Sequence, residues 1–400
     1  MPWRISCPMD ERVKFIAMLL ERGDMSMSRA CQAFAISRKT GYKWLNRYRQ
    51  DQHAGLAELS RAPHSNSRAI DKRTVEIIVA LRRRYPYWGA KKLRVLLLRD
   101  FPAVRCPSAS SIGCLLQREG LIKPRHRRLP GIRVAREDFL PMHDANQVWC
   151  VDFKAPIVTG QGRGYAPLTV SDGASRFLLE CRFSGMKGEQ LWPRFELLFR
   201  SYGMPAAIRS DNGPPFASTG LQGLTPLAIK WCRLGIKLER TRPAHPEENG
   251  RHERLHGSLS QYLGSQPRPP DLSSLQRQLD LFVYEYNNIR PHQALGGQTP
   301  SSCYRASSRR YPERIPEPEY ACGWHVRRIR NNGYVHFKGR FIYMSDALEG
   351  QLVGITEMEN GDYLVKFCAL SLGLIDRNTY KFKRFSPCLK AREKDKANKT

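Results

Sequence analysis

Acidic side chains are scarce in this 400-residue chain: 37 Asp and Glu face 66 Lys and Arg, leaving a formal charge of +29. Paired cysteines are missing too. None of the 11 cysteines belongs to a CxxC, and their number is odd. That spacing argues against a zinc ribbon or disulfide framework and predicts reduced, buried thiols. Long apolar runs are also absent. The first, residues 15–20, is short and bounded by Lys14 and Glu21, unlike a signal peptide. Nothing approaches the ~18 apolar residues of a membrane span. With 41% hydrophobic and 10% aromatic residues the composition is nonetheless globular, and the length suits roughly two to four domains. So large a positive excess predicts a polyanionic partner, because each phosphate met by Lys or Arg releases condensed counterions. Charge alone fits a ribosomal or membrane-surface protein as well. The lack of a span favours nucleic acid, with no membrane partner and a cytoplasmic, nucleoid-associated location.

Residues 11–50 read as three short helices. Val13, Ile16, Ala17 and Leu20 form an apolar stripe that Gly23 ends. Ser28 is the expected cap of the second helix and Ser37 of the third. The third buries Trp44, Leu45 and Tyr48 and turns Arg38, Lys39, Lys43 and Arg47 outward. This is a helix-turn-helix pattern over 1–60, whose second helix enters the major groove. A plain helical bundle with a solvated basic face would have the same pattern. After a linker at 51–70, residues 70–123 read as a second basic helical unit, with helices at 74–84, 90–98 and 108–119. Two such units in succession strengthen the reading as a DNA-binding front end. Residues 124–145 form a basic linker.

From 146 to 300 the pattern is α/β. Strands are expected at 148–153, 165–171 and 176–182, the last two joined by the turn-forming Asp172-Gly173. A helix at 189–200, a strand at 206–209, a helix at 227–234 and a strand at 237–240 follow, then helices at 251–263 and 272–287. Short strands punctuated by glycine over 320–388 predict a small, independent β-barrel, and 389–400 a basic tail.

Cleaving a phosphodiester at neutral pH requires an activated water or hydroxyl and stabilised oxyanions, both of which two Mg²⁺ ions supply. Mg²⁺ takes hard carboxylate oxygens and keeps several waters, so a few acidic side chains on rigid, converging elements suffice. Three fit. Asp152 lies inside the apolar strand Trp149-Cys150-Val151-Asp152-Phe153, where an unpaired carboxylate is costly. Asp211 ends a strand at Ser210-Asp211-Asn212-Gly213. Glu253 opens a helix between Arg251 and Arg254, which are placed to meet phosphates.

Six segments, in order, carry a resemblance. They are Asn146 to Phe153, Asp172-Gly173-Ala174-Ser175-Arg176-Phe177, Arg209-Ser210-Asp211-Asn212-Gly213-Pro214, Arg242-Pro243-Ala244-His245-Pro246, Asn249-Gly250-Arg251-His252-Glu253-Arg254, and Tyr286 to His292. Together they resemble the core of DDE-type bacterial insertion-sequence transposases, which is also the retroviral-integrase core. The resemblance implies a ribonuclease-H-like catalytic core behind all-α helix-turn-helix units. It implies one-step transesterification, with Asp152, Asp211 and Glu253 holding two Mg²⁺ ions for which Mn²⁺ can substitute. Its implied partners are double-stranded DNA, as element ends and target, and further copies of the chain in a synaptic complex. One departure stands out. Forty-one residues separate Asp211 from Glu253, more than is usual in the family, and the usual gap would nominate Glu247. Residues 219–224 read as an insertion in a surface loop.

Other residues have bland readings. Asp172 reads as a turn former, Trp149 and Trp192 as core, and Asn249 as a loop-orienting side chain. His245, His252, His256 and His292 lack zinc-ligand spacing with cysteine and read as DNA contacts or packing. The expected function is a transposase. The alternatives are a transposase-derived DNA-binding regulator with a silent core, or a host nuclease or resolvase of the same fold.

Overall fold

The computed structural model describes residues 7–21, 25–59, 69–122, 139–184, 188–242 and 245–385, with the backbone alone at 246 and 247. Two compact units emerge, Met1–Ala69 and Ile70–Thr400. The basic connector over 123–138, the tail, and Gly23 lie outside the described residues.

In the first unit, helices α1 (Pro8–Glu21), α2 (Met27–Ala33) and α3 (Arg38–Asp51) enclose Phe15, Ile16, Ala30, Cys31, Trp44, Leu45 and Leu56. Ser37 caps α3 as expected, its hydroxyl accepting from Thr40 N at 3.2 Å. The cap of α2 is Ser26, not Ser28: it accepts from Arg29 N at the preceding turn. Gly41 lets α3 close on α2, because a Cβ there would fall 2.5 Å from Cys31 Sγ.

The second unit begins with α4 (Lys72–Arg84), α5 (Ala90–Asp100) and α6 (Ala109–Arg118), packed around Ile78, Trp88, Leu93, Leu97, Ile112 and Leu116. Asp71 and Ser108 cap α4 and α6. Next come β1 (Val148–Phe153), a small hairpin of β2 (Ile157–Val158) and β3 (Gly164–Tyr165), β4 (Pro167–Asp172) and β5 (Leu178–Phe183). Helix α7 (Gly188–Tyr202), β6 (Ala207–Ser210), α8 (Pro226–Arg233), β7 (Lys237–Arg240), α9 (Gly250–Leu263) and α10 (Leu272–Tyr284) complete this part, and the short α11 (Pro300–Cys303) follows. The five-stranded sheet runs β5-β4-β1-β6-β7. Its first three strands pair antiparallel through hairpins, and β1-β6-β7 pair parallel.

Both faces of the sheet are covered, so its central strands are apolar rather than alternating. Phe195, Leu198, Phe199, Leu227 and Trp231 of α7 and α8 pack on one side against Trp149, Val151 and Ile208. Leu255, Leu259, Leu279 and Phe282 of α9 and α10 cover the other, against Leu178 and Cys181. The helical unit docks on α9 and α10 through Tyr87. Its ring meets Tyr262 edge-on at 5.8 Å, and its hydroxyl donates to the Glu285 carboxylate.

Strands β8 (His325–Arg328), β9 (Tyr334–Phe337), β10 (Arg340–Tyr343), β11 (Leu352–Glu357), β12 (Tyr363–Phe367), β13 (Leu370–Ile375) and β14 (Phe382–Arg384) do not close into the expected barrel. They form an open five-stranded sheet, β14-β13-β12-β11-β8, and a separate β9–β10 hairpin. The physical reason is the shared core. Val335, Phe337, Val353, Ile355, Val365 and Phe367 pack with Ala228, Ile229 and Cys232 of α8 and with Leu221 and Leu224. The apolar face that closure would have buried is covered by α8 and residues 221–224 instead. Residues 219–224 are therefore not a plain surface loop. Leu221 and Leu224 are buried, and the segment seats the C-terminal sheet.

Four of the described cysteines are buried (Cys31, Cys150, Cys181 and Cys232), while Cys7, Cys114 and Cys322 are exposed. All ten described cysteines are free thiols. Among the described residues, no helix is long and apolar enough to cross a membrane.

Candidate active site

The parallel register of β1 and β6 positions the first two carboxylates. Cys150 pairs with Arg209, so two residues further along, Asp152 near the end of β1 and Asp211 just past the end of β6 come level with each other. Adjacent strands lie about 4.8 Å apart, and the carboxyl ends of parallel strands are where open α/β sheets bind ligands. Residues 148–151 of β1 are buried, whereas Asp152 is half-buried and Asp211 exposed, so the pair forms the rim where the core opens. Asp211 folds back over Gly213, where a Cβ would sit 3.0 Å from its Oδ2.

Beneath Asp211, Arg209 and Glu239, partners in the β6–β7 register, make a buried two-bond ion pair at 3.0 and 2.7 Å. Glu239 also accepts from Leu140 N. Arg209 stacks on Phe139, 4.0 Å from its ring centre. These bonds satisfy a charge pair that would be costly if broken.

Glu253 comes from the first turn of α9 and is exposed, on a helix whose Leu255 and Leu259 are buried in the core. Its negative charge bears on Asp152. The Asp152 carboxyl is pushed up to about 6 by burial, then by the negative charge of Asp211, and also by that of Glu253. The neighbouring Glu248 is committed elsewhere, since its two oxygens accept from Arg242 Nε at 2.6 Å and Arg242 N at 2.7 Å. The side chain of Glu247 lies outside the described residues.

Two histidines of α9 complete the inner wall. Thr169, the register partner of Asp152, places its hydroxyl 2.9 Å from the Asp152 carbonyl, 2.7 Å from His252 Nε2 and 2.8 Å from His256 Nε2. His252 is fully buried, and its Nδ1 lies 3.1 Å from Ser171 Oγ. Burial holds the His252 imidazole well below its ordinary range, and lowers His256 to about 4, with help from Lys154. The 3.8 Å between His256 Nδ1 and Asp152 Oδ2 is thus no ion pair near neutral pH, because the imidazole is uncharged. Asp152, His252 and His256 offer ligand atoms within 4.8 Å of one another. Sequence reasoning passed over this cluster. The available signal was a pair of histidines four apart, on the helix that carries Glu253.

The other expected residues fall into two groups. Arg251 donates to the Gly173 carbonyl at 2.6 Å, tying α9 to the β4–β5 turn, while Arg254 is exposed. In α3, Arg38 and Lys39 are exposed. Lys43 and Arg47 lie over the Trp44 ring at 4.4 and 5.2 Å, and Arg12 covers it at 3.9 Å. Asp172 is a turn former: it is buried, with one oxygen accepting from Asn146 N and the other from Ser175 N and Oγ. Trp149 is core, bonded through Nε1 to Asn146 Oδ1 at 2.9 Å. Trp192 packs at the edge of the same cluster.

An integrase core domain model matches residues 234–300, and homeodomain-like models match 8–57 and 40–116. The chain is 23% identical over 288 residues to an insertion element IS407 protein of Burkholderia multivorans, covering 72% of this chain and 93% of that one. It is 25% identical over 319 residues to an insertion element IS476 protein of Xanthomonas euvesicatoria, covering 79% and 78%. The catalytic core domain of HTLV-2 integrase overlays 41% of this chain and 99% of its own at 20% identity, with a TM-score of 0.31. That of BIV integrase covers 40% and 93% at 21% identity, with a TM-score of 0.30. Overlays that loose add nothing to the assignment. The domain models and the insertion-element relatives agree with the six ordered motifs in their resemblance to insertion-element transposases.

Proposed function

We propose that the chain binds the ends of its own mobile element and catalyses metal-dependent DNA strand cleavage and strand transfer. What supports this reading is that Asp211, at the end of the strand beside β1, and Glu253, on α9, both bear with their negative charge on the half-buried Asp152 carboxyl. Such a cluster fits a divalent cation: like charges crowded at the mouth of a core are relieved by a positive ion. In this reading the three are the metal ligands, and two Mg²⁺ ions, or Mn²⁺, would activate the attacking hydroxyl and stabilise the leaving oxygen.

The protein's own groups orient the reaction. The Arg209–Glu239 pair braces the strand that delivers Asp211, and Arg251, bonded to Gly173, holds the helix that delivers Glu253. The exposed Arg254 would meet the DNA backbone. Arg38, Lys39, Lys43 and Arg47 of α3 are the proposed major-groove and phosphate contacts. The division into helix-turn-helix domain (1–60), second helical unit (70–123), linker (124–145), core (146–300), C-terminal sheet (320–388) and tail (389–400) belongs to the same proposal. So does assembly of several copies on paired ends.

The test is cleavage of a duplex bearing the element's terminal repeats, with Mg²⁺ and separately with Mn²⁺. The wild type should cut at the ends, and Asp152→Asn, Asp211→Asn and Glu253→Gln should bind but not cut. End-specific binding by the wild type without cleavage in either metal would favour the silent regulator.

A further inference from the structure

The hydrogen bonds around Thr169 assign the tautomers of both histidines. A carbonyl only accepts, so the single hydroxyl proton of Thr169 goes to the Asp152 carbonyl. His252 Nε2 and His256 Nε2 must then both donate to the Thr169 oxygen, which leaves each Nδ1 with a lone pair. His252 uses its lone pair, accepting from Ser171 Oγ, and keeps no free donor atom for a metal. His256 differs. In the neutral ring its Nδ1 lone pair faces Asp152 Oδ2 at 3.8 Å, too far for a hydrogen bond. Two electron-pair donors held face to face suit a cation between them. Their separation is less than twice a metal–ligand distance of about 2.1 Å, so one ion reaches both.

We propose that His256 Nδ1 is a further ligand of the divalent cation at Asp152, and that it biases the site towards Mn²⁺ over Mg²⁺. The inference rests on the reading of Asp152 as a metal ligand. Glu253 and His256 lie three apart on α9, so one helix face presents an oxygen and a nitrogen donor together. Mg²⁺ takes oxygen ligands and keeps its waters, whereas imidazole nitrogen suits later divalent ions. Thr169 holds the ring in the tautomer that ligation requires, as the outer partners of metal-bound histidines generally do.

Pulsed electron paramagnetic resonance of the full-length, metal-free protein loaded with one equivalent of Mn²⁺ tests this. Nitrogen coupling to the manganese should appear in the wild type and vanish in His256→Gln, whose amide can still donate towards Thr169. Affinity for Mn²⁺ should fall about tenfold or more in that variant, while affinity for Mg²⁺, measured by competition, barely moves. His256→Asn, which offers an amide oxygen near the Nδ1 position, should bind again with its preference shifted towards Mg²⁺. Manganese bound to the wild type without nitrogen coupling, or coupling retained in His256→Gln, overturns the inference. If Asp211→Asn still abolishes binding in that case, the carboxylate site survives. Failure of the wild type to bind either ion overturns both.

Discussion

Arg240 reaches from β7 back to the Gly223 carbonyl, 2.8 Å from its Nη2, and its other terminal nitrogen donates to the carbonyl of Gln222. It thereby fastens the extra residues between Asp211 and Glu253 to the strand that follows them. Arg240→Ala would strand two carbonyls beneath the C-terminal sheet. A loss of about 1–3 kcal/mol is expected, read as a shift in the urea midpoint.

The same junction predicts that residues 320–385 do not fold well alone. Their apolar face, including Val353, Ile355 and Val365, is shared with Leu221, Leu224 and Ile229 of the preceding α/β part. The isolated fragment should bind a hydrophobic dye and lack a cooperative melt by circular dichroism. A cooperative, strand-rich fragment would show that the shared core is dispensable.

The elevated Asp152 carboxyl has a stability consequence in metal-free protein. Its folded value of about 6 lies above the ordinary 3.8, so the folded state holds the proton more tightly than the unfolded state does. Ionised Asp152 therefore costs stability above about pH 6, and the cost fades as the pH falls through 6 towards 4. With chelator at pH 8, Asp152→Asn should melt several degrees higher than wild type, a gain of at most about 3 kcal/mol. Near pH 4 the advantage should be gone. Added Mn²⁺ should raise the wild-type melting temperature and leave the variant unmoved.

Within α3 the basic residues should not be equivalent. Arg38 and Lys39 are exposed at the start of the helix, whereas Lys43 and Arg47 are drawn onto Trp44. Every phosphate that a variant no longer neutralises lowers the slope of log K against log salt by about 0.9. Anisotropy titrations should therefore show a smaller slope for the Arg38→Ala, Lys39→Ala double variant, with Lys43→Ala changing it less. Equal reductions would mean that Lys43 leaves the indole ring when DNA arrives.

Much of this is legible in the chain. The apolar run at 148–151 and the hairpin at Asp172-Gly173 specify central strands, because local pattern and burial point the same way. Ser37 and Ser108 announce helices, since a capping hydroxyl acts within three residues of itself. What escapes depends on distant neighbours. The strands at 370–375 and 382–384 pair only in the context of the open sheet, where Gly373 admits the Lys383 carbonyl. Cysteine spacing along the chain says nothing useful of His256, whose relevant neighbours, Thr169 and Asp152, come from β4 and β1. Leu221 and Leu224 resemble loop residues because the sheet they seat, from Ile329 onward, lies more than a hundred positions away.

The hydroxyl of Thr169 joins the strand bearing Asp152 to the helix bearing Glu253 at a single atom. The separation of the first and third acidic groups is consequently set by a side chain less than 3 Å from each of its partners, and not by the residues counted between them. Chain length between Asp211 and Glu253 is free to drift, and here it has been enlarged to carry a second sheet.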